Sequence, residues 1–387
     1  MLKYRSNQQK TWRAGSIRLR FRKGIDMSNL SKSKKAGFIA AIVVIAIIFS
    51  ALTFGLVYKL SHYKFFSQAE SHMQAPGLED GLVQQGFDYI PAVIGENNEI
   101  ISEAIFLTSG YMKDHSASRV YITVGNGTPS YVSLYNSDGT EYDGHAGGIA
   151  HYGDLVYLAD EENDGDVAVF SLADVLGTDE NGSDGKATVK TTIAMPKDFA
   201  SSFCTVYNVG ARPYLFVGRF AKEGHEKYGR VDDHKVTVGD ETNSSLILAY
   251  ELGGNTDTGL LIGKPSFAIS IPDLVQGMCF AGDNRIILST SWSLSSSHLY
   301  FYEIDLTVNS TGVDNKTIDG VDIPVYFLGS DALKLDLKCP PMAEEMVFID
   351  GKVYIMNESA SKKYIFGNFI GGRKVYSIPA GDEQFAG

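Results

Sequence analysis

The chain has 387 residues, 44% hydrophobic and 11% aromatic, with 40 Gly, only 11 Pro, 21 Tyr, 21 Phe and a formal net charge of −12. That is apolar mass for one large core or two ordinary ones, in a composition suited to many short strands and tight turns. Eleven of the 34 basic residues lie in residues 1–35 beside one acid, Asp26, so the remainder carries 23 basic against 45 acidic residues; such a body repels anionic lipid and argues against a nucleic-acid partner.

Residues 1–35 read as a basic cytoplasmic segment. Its first 26 residues have a second reading, a mis-assigned start, because Met27 opens "MSNLSKSKKAGF", itself a complete basic n-region. Residues 36–58, "AGFIAAIVVIAIIFSALTFGLVY", hold no charge. As a helix they span roughly 34 Å, enough to cross a hydrocarbon core. Lys32, Lys34 and Lys35 at its start place that end in the cytoplasm by the positive-inside rule, with everything after Tyr58 outside. The expectation is a single-pass signal anchor in the cell membrane, the membrane being a partner through this one helix. A cleaved signal peptide is the alternative, with "SQA" (Ser67 to Ala69) as cleavage site, but the apolar run exceeds the usual length.

After a connector over residues 59–86, residues 87–380 read as strands throughout, ahead of a tail at 381–387. Five units repeat an inner strand, a turn, a second strand, a variable loop and further strands. Unit one, the most degraded, is "PAVIG", "SEAIFLTSGYM", "SASRVYITV" and "SYVSLYN". Unit two is "GGIAHYGDLVYLAD", "DGDVAVFSL" and "TVKTTIAM". Unit three is "FCTVYNVGARPYLFVGRF", a long loop, "NSSLILAYEL" and "SFAISIP". Unit four is "QGMCFAGDNRIILSTSW", "SSSHLYFYEI" and "VYFLG…ALKLDLK". Unit five is "EEMVFIDGKVYIMNES", "SASKKYIF" and "KVYSIPA". A single four-stranded meander cannot bury both faces, whereas units packed around an axis can, so the repeat predicts an all-β fold, a β-propeller preceded by one N-terminal transmembrane helix. Five blades are expected, with a sixth hidden in residues 307–340 as the alternative count. Unit five lacks an outer strand, and the segment around "GLVQQGFDYI" is expected to supply it, closing the ring. Ser-x-Ser recurs before third strands at Ser116/Ser118, Ser295/Ser297 and Ser359/Ser361, and loosely at Ser244/Ser245, which a β-sandwich would not repeat. Cys204, Cys279 and Cys339 cannot all pair and form no C-x-x-C, so buried thiols are expected in place of a zinc site or disulfide framework.

The phrases "GYMKD…SRVYITV", "GHAGGIA…YLAD", "ISIPDLVQGMCF…RIILSTSW", "PPMAEEM…GKVYIMNESASKKY" and "KVYSIP" resemble a family of bacterial exported β-propeller proteins of uncharacterised activity. The resemblance covers most of residues 87–380. A more distant likeness, architectural only, is to gluconolactonase and strictosidine-synthase-like propellers. It implies a fold and carries over no catalytic residue.

In a propeller, loops leading into inner strands and loops joining second to third strands share one face. That face collects His145, Phe203, Gln276, Glu344 and Glu345 at inner-strand starts, and Tyr111, Lys113, Asp160, Arg219, Trp292 and Glu358 from the second-to-third loops. A channel mouth with a few aromatic and polar groups suits a small molecule or glycan. Each residue also has a structural reading: His145 as a bond to a neighbouring blade, Gln276 and Glu344 as repeat-related backbone partners, Trp292 as inter-blade packing. The insertion "RFAKEGHEKYGRVDDHKVTVGDETN" (219–243) brings His225, His234, Asp232 and Asp233 toward the mouth as a lid, a docking loop or a solvated loop; "HEKYG" lacks the second His of a zinc-protease motif. Asp160, Glu162 and Asp164 in "DEENDGD" alternate like calcium ligands, but Ser171 stands where an EF-hand has its closing Glu, so calcium is a weak expectation and no other cofactor is expected. Neither a G-x-S-x-G elbow nor a Gly-rich phosphate loop occurs. The reading is a membrane-anchored extracytoplasmic propeller that binds a ligand or scaffolds a cell-surface protein. The alternative is a lactonase or esterase-type hydrolase with an axial, calcium-assisted site.

Overall fold

Strands that are apolar on both faces need cover above and below, and here the cover is another sheet. The computed structural model describes residues 31–95, 97, 99–162, 165–177, 185–307, 313–364 and 372–386; the first 26 residues, Asp164 and most of the turn at 179–185 lie outside these. The chain divides into two units, Met1–Phe54 and Gly55–Gly387. The first contributes most of helix Lys32–Ser61, none of whose residues is buried and which is long and apolar enough to cross a membrane. The second is a five-bladed β-propeller.

Blade 1 comprises Leu82–Ile90, Ile105–Met112, Arg119–Val124 and Ser130–Tyr135, from axis to rim. Blade 2 comprises Ile149–Tyr152, Leu155–Ala159, Val167–Ser171 and Thr191–Ile193. Blade 3 comprises Phe203–Val209, Arg212–Gly218, Ser245–Glu251 and Phe267–Ile271. Blade 4 comprises Val275–Phe280, Arg285–Thr290, Ser297–Glu303 and Leu333–Cys339. Blade 5 comprises Ala343–Ile349, Lys352–Asn357, Lys374–Pro379 and, from far upstream, Glu70–Gln74.

Five apolar clusters fill the seams. Tyr157, Leu215 and Leu248 sit between blades 2 and 3. Phe216, Met278 and Leu288 join blades 3 and 4. Ile287, Leu299 and Met346 join blades 4 and 5. Leu107, Ile149 and Leu158 join blades 1 and 2, and Phe87, Met356 and Val375 close the ring. Cys204, Cys279 and Cys339 are buried and unpaired within these layers.

Four expectations are corrected. The strand closing blade 5 is Glu70–Gln74, while "LVQQGFDYI" is blade 1's innermost strand, its first six residues all buried. "PAVIG" is therefore no inner strand: Val93–Ile94 pairs with Ile100–Ser102 in an exposed hairpin. "SASKKYIF" is no strand over Ser359 to Tyr364, where a 3-10 turn Glu358–Ala360 is followed by further turn. Residues 307–340 hold no sixth blade among the described residues. Lys316–Ile318 and Val321–Ile323 form a small hairpin, and Val325–Phe327 adds in parallel to the rim of blade 3. Lys186–Thr188 from blade 2 covers the rim of blade 1 in the same way, so two exposed sheet edges are shielded by a neighbour's loop.

Innermost strands turn unpaired N–H groups toward the axis, and an acidic side chain receives them. Glu345 of blade 5 is 1% exposed. It accepts from Phe87 N of blade 1 (2.9 Å), Ile149 N of blade 2 (2.8 Å) and Cys204 N of blade 3 (3.2 Å). Blade 4 meets the same point through Gly277, where a Cβ would lie 2.6 Å from the Glu345 Cα. Burial pushes the Glu345 carboxyl upward, and the three amides oppose that shift. Glu345→Ala leaves three buried donors unpaired at about 1–3 kcal/mol each. We expect a loss of more than about 3 kcal/mol in a urea titration of the folded chain, whereas Glu345→Gln, which keeps an acceptor oxygen, loses less. Equal midpoints for wild type and Glu345→Ala would remove Glu345 from this role.

Candidate functional site

Bulges set the mouth. The innermost strands of blades 1, 4 and 5 each break register at the same level, between Gln84 and Phe87, Val275 and Gly277, and Ala343 and Met346. A bulge re-aims side chains that strict alternation would fix, and such devices gather near functional sites. Above this level opens a cavity of about 360 Å³. Its walls are aromatic (Tyr111, Phe220, Tyr228, Trp292, Tyr364) and its polar groups are Gln85, His145, Glu161, Gln276, Ser291, Glu358 and Lys363.

The residues expected at the mouth divide clearly. Tyr111, His145, Gln276, Trp292 and Glu358 line the cavity. Glu344 is 2% exposed and is not among the residues lining the cavity, the charges of Glu358 and Glu161 bearing on its carboxyl, while Glu345 turns into the axis. Phe203 is core, its ring over Gly218 between blades 3 and 4. Arg219 is buried and donates to Gly229 O (2.8 Å), holding the insertion from behind. Lys113 reaches across the rim to Lys362 O (3.0 Å).

Two carboxylates are oriented by tyrosines and lysines. Glu358 accepts from Tyr111 (3.1 Å) and Tyr364 (3.0 Å), and Lys363 donates to the Tyr111 hydroxyl. Glu161 accepts from Tyr228 (2.8 Å) and Lys227 (3.3 Å). Burial raises the Glu358 carboxyl, with His145, Lys363 and the two hydroxyls pulling the other way. His145 bridges to Gln85 (2.7 Å) and its ring tilts over Tyr111 at 4.9 Å.

The insertion 219–243 closes one side. Phe220 stacks on Trp292 (6.1 Å), His225 meets Trp292 edge-on (5.3 Å), and Lys222 lies 4.7 Å over the indole. Tyr228 and Lys227 carry the same insertion across to blade 2. Its second half is anchored by His234, buried against Phe199, whose pKa burial pushes down to about 4. Asp232 is tied to Lys235, at the surface.

Of the alternating acids, Asp160 is fully committed: Tyr142 donates to it (2.5 Å), as do the amides of His145 (3.0 Å) and Glu162 (2.9 Å). Asp164 lies outside the described residues. His145, Glu161 and Glu162 do bring ligand atoms within 4.8 Å of one another, yet Lys227 Nζ already stands 3.3 Å from Glu161 and 3.0 Å from Glu162. An ammonium thus supplies the positive charge there.

Sequence reasoning missed Gln85, Glu161, Tyr228, Lys363 and Tyr364. Gln85 lay in a stretch read as connector, and Lys363 and Tyr364 in one read as strand. Glu161 and Tyr228 carried a signal, since each sits inside a segment singled out for its chemistry.

No family model matches the sequence, and no curated protein matches it. Among solved structures the chain is similar to the PQQ-bound aldose sugar dehydrogenase of Streptomyces coelicolor, at 11% identity over 80% of this chain and 96% of that one, TM-score 0.41. It is similar to a GH43_1 enzyme from Xanthomonas citri, at 11% identity over 80% and 90%, TM-score 0.42. It is also similar to a candidate gluconolactonase, at 14% identity over 81% and 91%, TM-score 0.35. At these values they carry nothing about activity, and the fold rests on the strand order itself.

Burial raises the Glu344 carboxyl well above its ordinary value, and the repulsion of Glu358, Glu161 and Glu345 adds to the shift. The folded chain therefore binds more protons than the unfolded one above the usual carboxylate range, and stability falls as pH rises through that window. Glu344→Gln removes this term. We expect the variant to be more stable than wild type at pH 7, with the difference shrinking toward pH 4. A wild type equal to the variant at both pH values would show that Glu344 is not under this strain.

Proposed function

We propose that the protein is an extracytoplasmic binding module, held at the cell membrane by its N-terminal helix, that captures a small polyhydroxylated ligand such as a glycan in the mouth of the propeller. The observation carrying this reading is the mouth cavity itself, where five aromatic side chains face a set of polar groups of which Gln276 makes no side-chain hydrogen bond among the described residues. Aromatic faces take the apolar faces of sugar rings, and convergent amides and carboxylates take the hydroxyls. Gln85, His145 and Glu358 are already positioned by partners, so they meet a ligand with little loss of side-chain freedom.

The anchor rests on the uncharged stretch 36–58 and the lysines before it. Protease added to intact cells should then degrade residues 62–387 and spare a tag placed at residue 27, and the fragment should stay with membranes. A shielded C-terminal body would overturn the topology.

Binding is tested on a glycan array and by calorimetry with the bound sugar. Trp292→Ala and Glu358→Gln should each weaken it by about tenfold or more, the value of one stacking ring or one charge-assisted bond. Retention unchanged in both variants would move the site elsewhere. A second reading, hydrolysis of a lactone or ester, is favoured by two carboxyls, Glu344 and Glu358, whose pKa values burial raises. Turnover of a lactone panel that disappears in Glu358→Gln would select it over binding alone.

A further inference from the structure

The acidic groups around the mouth, Glu344 excepted, can each be matched with what neutralises or hydrogen-bonds it. Glu161 has Tyr228 and Lys227, Glu162 has Lys227, and Glu358 has Tyr111 and Tyr364. Asp160 has a hydroxyl and two amides. Glu344 has nothing: neither oxygen accepts a hydrogen bond among the described residues, and Oε1 is wholly enclosed. Its main-chain carbonyl accepts from Ser289 (2.7 Å). Ionised or protonated, a carboxyl so buried is costly without a partner.

Glu344 lies two residues after Met342, which lines the cavity, in the bulge between Ala343 and Met346. Of its two oxygens Oε1 is the one fully enclosed without a partner. The charges of Glu358 and Glu161, on different walls of the cavity, bear on its carboxyl. The charges acting on it most strongly are all negative, Glu358, Glu161 and Glu345, and no lysine or arginine stands among them.

Resting on the reading that the mouth is the binding site, we propose that Glu344 is its specificity-determining group, and that it pairs with a primary ammonium group of the ligand. An amino sugar combines that group with the ring and hydroxyls the walls accept. An ammonium answers the negative surroundings of Glu344 better than a hydroxyl does, because a charge-assisted bond is about twice as strong as a neutral one. The rim already shows that its rings receive such groups, since Lys363 lies 4.7 Å over Tyr111 and Lys222 4.7 Å over Trp292. A divalent metal would need several free oxygens at one point, and Oε1 of each of Glu161, Glu162 and Glu358 already has a hydrogen-bond partner.

Pairing has a proton signature. Burial raises the Glu344 carboxyl, and an ammonium beside it pulls it back toward the carboxylate, so pairing favours release of a proton to solvent. The other titratable groups around Glu344 are Glu358, Glu161, Glu345, Tyr364 and, on the wall, His145, and all remain in a Glu344→Gln variant.

The test is calorimetry at pH 7 on the full chain in detergent, in two buffers of different ionisation enthalpy. The probes are glucosamine against glucose and cyclohexylamine against cyclohexanol, with calcium chloride as a separate arm. Wild type should hold glucosamine about tenfold or more tighter than glucose, a difference of about 1.4 kcal/mol, and release protons on binding the amine. Glu344→Gln, which should fold at least as well, should lose both the preference and the proton. Equal affinities, a preference that survives in Glu344→Gln, or calcium that displaces the amine would each overturn the proposal. If the cyclohexyl pair binds as tightly as the sugar pair, recognition of hydroxyls fails while the ammonium pairing stands. If no probe binds, both fall.

Discussion

Three amide groups from three blades converge on the carboxylate of Glu345, and the ring is built around that point. A propeller's innermost strands have no further strand to pair with, so their inward N–H groups would otherwise need channel water. Phe87, Ile149 and Cys204 instead donate to one side chain of blade 5. The convergence demands close approach. A Cβ at Gly148 would lie 2.6 Å from Glu345 Oε1 and 2.2 Å from Cys204 N, so glycine is required there and not merely tolerated. Glu345 together with Gly148 and Gly277 thus brings four of the inner strands into close approach.

Ring closure uses distance along the chain. The last blade takes its rim strand from Glu70–Gln74, with Glu70 opposite Ser377, so the two ends of the propeller are held in one sheet. Rim edges elsewhere are covered by loops of the following blade, as at Lys186–Thr188 and Val325–Phe327. The Ser-x-Ser repeat belongs to the same scaffolding. Ser118 donates to Gly144 O (2.7 Å) and Ser297 accepts from Ala343 N (3.1 Å), so in blades 1 and 4 the serine at the start of the third strand fastens the segment leading toward the next blade's inner strand. Ser245 instead donates to Arg219 O within its own blade (2.6 Å).

The architecture was legible because it is periodic. A doubly apolar strand such as "SLILAYE", buried over six of its seven residues, announces a blade in any register, and loops alternate between two faces however long they are. Strand order alone put Trp292 and Glu358 on one face, and both line the cavity. What resisted reading was local and aperiodic. "PAVIG" and "LVQQGFDYI" are both short and apolar, and only pairing with Ile105–Met112 distinguishes them. Phe203 stood at the right strand but its ring points into the seam, where Gly218 leaves room. The strands lent from blades 2 and 4 to their neighbours are too short for periodicity to detect.

The bulge between Ala343 and Met346 hides the most consequential detail. Alternation predicts that consecutive residues face opposite sides of a sheet, and a bulge suspends that rule. Glu344 and Glu345, adjacent and equally buried, consequently meet different fates. Glu345 is saturated by the backbone of three blades, so its burial is turned into cohesion. Glu344 is left with neighbours of its own sign and, among the described residues, no donor. A structural carboxyl could be replaced by a neutral residue at that place with a gain in stability, as proteins generally allow away from functional sites. The fold keeps an acid there, two residues from Met342 on the wall of a cavity lined by aromatic rings, so an unmet electrostatic need stands near an open volume.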